Sequence, residues 1–81
     1  MVKVELWAGL RAFTGGERTV EVDAKNIREL LQALSDAYPG LKPILDEGVS
    51  VAIDGEIFAD SLIEPVGPEN EIVLMQKIRG G

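Results

Sequence analysis

"NIRELLQALSDAYPG", residues 26–40, is the stretch from which the fold can be read. Ile27, Leu30, Leu31, Leu34 and Tyr38 recur at steps of three and four, so a helix would gather them into one apolar stripe. Asn26 can cap the free amides of the first turn, and Glu29 stands three residues later, as a capping box requires. Pro39 and Gly40 close the helix. Such a stripe needs another apolar surface to cover it, and the flanking segments supply strands.

On the N-terminal side, "VKVELWA" (residues 2–8) alternates. Val2, Val4 and Leu6 share one face, and Lys3, Glu5 and Trp7 the other. "RTVEVD" (18–23) repeats the pattern with Val20 and Val22 inward. "GLRAFTGGE" (9–17) lies between and carries the Gly15–Gly16 turn signal, so an antiparallel hairpin with a long connection is expected. On the C-terminal side, "LKPILDEG" (41–48) bridges, with room for a short helical turn. "VSVAID" (49–54) is a third strand with Val49, Val51 and Ile53 on one face, ended by Asp54–Gly55. "GEIFADSLIEPVGPEN" (55–70) is irregular, and its Ile57, Phe58, Leu62 and Ile63 are expected to tuck beneath the sheet. "EIVLMQKI" (71–78) is a last strand, apolar enough to lie centrally. The expected class is α+β, one mixed sheet of four to five strands with one main helix across it. Residues 1–76 form the domain and residues 77–81 a tail.

The totals narrow the function. With 81 residues and no Cys, the chain has one core and no disulfide to support it. Absence of Cys fits a reducing cytoplasm, which is the expected location. Lys3 and Glu5 interrupt the N-terminal apolar residues, so neither a signal peptide nor a spanning helix is expected. A formal charge of −6 disfavours nucleic acid and anionic membrane, and suits basic partner surfaces or plain solubility. There is no His either, so the usual nucleophile–base pairs and zinc sites have no raw material. Asp46, Glu47, Asp54, Glu56, Asp60, Glu64, Glu69 and Glu71 do not follow calcium-loop order and read as a solvated acidic face. No metal site, no bound cofactor and no independent enzyme activity are expected.

Chemistry is left to "KIRGG", residues 77–81. It can be an incidental frayed end. If functional, its terminal carboxylate is an anion at neutral pH and must be activated, most simply as a mixed anhydride with a nucleotide. Gly80 and Gly81 lack Cβ atoms, so an activating site can close tightly around them. With no thiol on any side chain, carried sulfur would have to sit on Gly81 as a thiocarboxylate. Lys77 and Arg79 would offer positive charge to a partner's groove, or are ordinary solvated charges.

"VKVELWAGLRAFTGG", "VAIDGE", "PVGPENEIVLM" and the terminal "GG" together resemble the MoaD/ThiS group of ubiquitin-like β-grasp sulfur carriers. The similarity spans essentially the whole chain, and the opening and length are more like MoaD. It implies that Gly81 is adenylated by a MoeB/ThiF-type adenylyltransferase using ATP and then converted to the thiocarboxylate. The tail would next enter a MoaE-type large subunit, as in molybdopterin synthase of molybdenum cofactor biosynthesis. "PENE" stands where the group often has a Gly-Asp turn, and "QKIRGG" looks more like ubiquitin's Arg-Gly-Gly ending. Other acceptors therefore stay open: thiamin thiazole, tRNA thiolation or conjugation to protein lysines. A non-covalent binding module with an incidental tail is the contrasting class. If Ile72 and Leu74 point inward, Val73 and Met75 point outward beside Ala52 and Trp7. Those four form a candidate docking face, unless a loop covers them or Trp7 packs on Phe13.

Overall fold

In the computed structural model, which describes residues 1–58 and 61–76, the two alternating N-terminal segments become β1 (Val2–Leu6) and β2 (Thr19–Val22). They pair antiparallel, with Val4 opposite Val20. Their connection holds a four-residue helix, α1 (Ala8–Arg11), which buries Leu10. The Thr14 hydroxyl is almost fully buried and lies 3.2 Å from the Arg11 carbonyl and 3.1 Å from that of Glu17. It thereby satisfies a polar group that burial would otherwise penalise.

α2 (Ile27–Ala37) is the main helix. Asn26 caps it, its side chain accepting from the Glu29 amide at 2.9 Å. The Glu29 carboxylate reaches back and accepts from the amide of Lys25 at 3.0 Å, one residue before the cap. Tyr38 ends the helix, and a 3-10 turn (Pro39–Leu41) leads into α3 (Lys42–Glu47). The bridge thus carries two short helical pieces, and they bury Leu41 and half-bury Ile44 and Leu45.

β3 (Val49–Ile53) and β4 (Glu56–Phe58) form a hairpin around Asp54–Gly55. Asp54 has φ 51° and Gly55 φ 87°, the two left-handed positions of a type I′ turn. β5 (Ile72–Gln76) pairs parallel with β1 and antiparallel with β3. Among the described residues the strands form one mixed sheet in the order β2-β1-β5-β3-β4, with β5 central as its apolar sequence implies.

The sheet's inner face presents Val2, Val4, Leu6, Val20, Val22, Val49, Val51, Ile53, Ile72 and Leu74, and α2 lays Ile27, Leu30 and Leu34 across it. Each fully buried aliphatic side chain contributes about 1.5–3 kcal/mol. Leu31 and Tyr38, at the stripe's edge, are half-buried against this core.

Residues 55–70 depart from expectation. Phe58 packs on the core, but Ile57, Leu62 and Ile63 are exposed rather than beneath the sheet. Ile57 alternates with Phe58 in β4 and so takes the opposite face. The backbone of 62–66 is used instead to close the start of α2. The Ile27 amide donates to the Glu64 carbonyl at 3.1 Å, the Arg28 amide to that of Leu62 at 3.0 Å, and the Val66 amide to that of Lys25 at 2.9 Å. Helix-end amides lack partners within the helix, and this crossing strap supplies them. Val66, not Leu62 or Ile63, is the residue it buries.

Candidate functional site

β5 is braced on both sides, and its last residue, Gln76, stands opposite Val49. Beyond Leu6, the Trp7 amide still donates to the Leu74 carbonyl at 3.2 Å, which carries the β1–β5 ladder one step further. Gln76, the last described residue, thus belongs to a strand paired on both sides. Lys77, Arg79, Gly80 and Gly81, the expected tail residues, lie outside the described residues.

Of the expected docking residues, Ala52 and Val73 are paired directly and half-buried. The register extends them into one continuous cross-strand row, Thr19–Glu5–Val73–Ala52–Ile57. Met75 faces the same side, opposite Ser50, but is only 9% exposed and stands outside the core cluster. With so little exposed surface, Met75 offers a partner less than Ala52 or Val73 does. Trp7 is 44% exposed. Phe13 lies over Gly40, where an added methyl would come 3.5 Å from its Cδ1.

Ile57, 64% exposed at the end of the row, was not foreseen as part of this face. The Asp54–Gly55 turn was the signal that could have placed it. A two-residue hairpin sets Ile57 opposite Ala52 and hence on the outer side.

The other end of β5 is acidic. The Asp54 carboxylate accepts from the Glu71 amide at 2.8 Å and from the Asn70 carboxamide at 2.7 Å, while the Asp54 amide donates to the Glu71 carbonyl at 2.8 Å. Asn70 Oδ1 in turn accepts from the Gly67 amide at 2.8 Å. The Glu71 backbone bond, then the Asn70 side-chain bond, hold the Asp54 carboxyl below its ordinary pKa. A shallow cleft beside this network is lined by Glu56, Glu64 and Glu69 together with Phe58 and Val66. Among the described residues no group of three or more Asp and Glu is close enough to hold a metal ion, and no helix is long and apolar enough to cross a membrane.

No curated protein matches the sequence. The ThiS family model matches residues 4–81, nearly the whole chain and through the two final glycines. This chain belongs to the ThiS family. Solved structures agree. SAMP1 of Haloferax volcanii is 29% identical, with 99% of this chain and 98% of that one covered at a TM-score of 0.74. The small archaeal modifier protein 1 of Methanosarcina acetivorans is 25% identical, covering 99% of this chain and 95% of that one at 0.80. A chain of the Amycolatopsis orientalis BexX/CysO complex matches over 100% of both chains at 0.79 and 24% identity, which bears on the fold alone. The ThiS-family fold is the ubiquitin-like β-grasp, with α2 as the grasped helix, and the family is one of small carriers and modifiers.

Proposed function

We propose that this chain is a sulfur carrier whose working group is the Gly81 carboxylate. The supporting observation is the family match, which runs through Gly80 and Gly81 on a chain with neither Cys nor His. In the first step a carboxylate oxygen attacks the α-phosphate of ATP, forming the acyl adenylate and releasing pyrophosphate. A hydrosulfide then attacks the acyl carbon, AMP departs with the bonding pair, and loss of a proton leaves the thiocarboxylate. The adenylate is needed because the free carboxylate is a poor electrophile.

The activating partner is a MoeB/ThiF-type adenylyltransferase, which binds the ATP. Trp7 and the outer row of Ala52, Val73 and Ile57 dock on it, with Met75 beside that row on the same face. Lys77 and Arg79 meet the partner's groove. The acceptor is a MoaE-type subunit acting on a pterin, making this chain MoaD-like. Its place of action is the cytoplasm.

Mass spectrometry after incubation with such an enzyme, ATP and sulfide should show one oxygen replaced by sulfur on the Gly81 residue. Removal of Gly81 should abolish the exchange; a truncated chain that is still thiolated refutes the proposal. The likeness to small archaeal modifier protein 1 supports a second reading, in which activated Gly81 is joined to lysine amines of other proteins. Isopeptide-linked remnants ending in Gly80–Gly81 would distinguish it.

A further inference from the structure

Gly9 lies within α1, away from the left-handed backbone region, so its conformation does not require glycine. Glycine is also among the poorest helix formers. What a side chain there would meet is Gln76. A methyl group on Gly9 would lie 2.7 Å from Gln76 Oε1 and 3.7 Å from its Cδ. Gln76 is the last described residue of β5 and directly precedes residues 77–81. It continues the inward series of Ile72 and Leu74, yet it is exposed, because the core ends one step before it. α1 is placed beside it by the Trp7–Leu74 backbone bond and by the Arg11 Nε, which donates to the Leu6 carbonyl at 3.1 Å.

We propose that the bare surface of Gly9 is a seat for the Gln76 carboxamide, and that the seated side chain fixes the orientation of Gln76, the residue that joins the sheet to residues 77–81. Gln76 is then a positioning residue for activation at Gly81, and this role rests on the carrier reading above. A root held before docking removes part of the conformational freedom that a partner must otherwise freeze. The conflicting atom is the far end of a flexible side chain, so Gly9→Ala would swing Gln76 aside rather than disturb the core.

The test uses the full chain as wild type, Gly9→Ala, Gln76→Ala and the double variant. Adenylation is followed by ATP–pyrophosphate exchange with a MoeB/ThiF-type enzyme. Gly9→Ala and Gln76→Ala should each lower kcat/KM about threefold to tenfold. The double variant should lose no more than either single one, because both remove the same seat. Thermal midpoints should be unchanged or slightly raised for Gly9→Ala, which a general structural defect would not permit. Nuclear spin relaxation of the Gln76 side-chain NH2 should show it freed in Gly9→Ala relative to wild type. Identical relaxation in the two proteins overturns the seat itself. Wild-type kcat/KM in both single variants overturns the positioning role. A wild-type chain that is not adenylated overturns the carrier reading and the positioning role with it, while the relaxation result still decides whether the seat exists.

Discussion

Asp54 occupies a left-handed backbone position, φ 51°, and its carboxylate spans a gap of sixteen and seventeen residues to reach Asn70 and Glu71. Because its folded pKa is lowered, the ionised form favours the folded state. Its contribution is present above the unfolded carboxylate value of about 4 and disappears as pH falls through the lower folded value. Asp54→Asn keeps a residue type that tolerates this backbone but removes the charge. Denaturant midpoints measured from neutral to acid pH should therefore differ most above about pH 4 and converge below it. Parallel curves would refute a role for the charge. In the sequence, Asp54–Gly55 was legible as a strand end, because that turn chemistry is local. Asn70 and Glu71 gave no sign of closing onto it, since the contact depends on where β5 begins.

α2 shows how far periodicity carries. Its stripe, Asn26 cap and Pro39–Gly40 stop were all readable, and the helix spans Ile27–Ala37 with Tyr38 as its cap. Leu34 is fully buried in the core, so Leu34→Ala should destabilise by about 2–5 kcal/mol. Asn26→Ala should remove about 1 kcal/mol. Urea denaturation at neutral pH separates the two, and an equal loss would mean that the cap carries more than one hydrogen bond. The short helical turn of the bridge was legible, but two other short elements were not. Four residues of α1 and three of β4 are too few to display a period, and β4 is a strand only because β3 lies beside it. Leu62 and Ile63 look like core residues by composition. Their backbone is held at the start of α2 with the side chains outward, a placement that local pattern does not encode.

At the scale of the whole molecule, the sheet separates the α2-covered face from an outer face that carries the Thr19–Glu5–Val73–Ala52–Ile57 row. Ile57 and Ile63 are both exposed, but Ile57 alone belongs to the outer row. Ile57→Glu and Ile63→Glu should each change stability by no more than about 0.5 kcal/mol. If the outer row docks on the activating enzyme, kcat/KM for adenylation should fall about tenfold in Ile57→Glu, as expected for an interface residue, and hold in Ile63→Glu. Equal behaviour of the two variants would refute docking through that row.

The sequence by itself determined the order of the main elements, the inward set of each long strand, the buried stripe of α2, and the lack of any Cys or His nucleophile. These are properties of residue type and short spacing, and 2.0- and 3.6-residue periods express them directly. The tertiary structure alone decided that the β3–β4 hairpin sets Ala52 beside Val73 and Glu5 in one row, that 62–66 straps the first turn of α2, and that Gln76 lies over Gly9. Each of these joins residues far apart in the chain. Their neighbours were selected when separate apolar faces were buried together and the strands between them completed their hydrogen bonds, a choice that no local pattern contains.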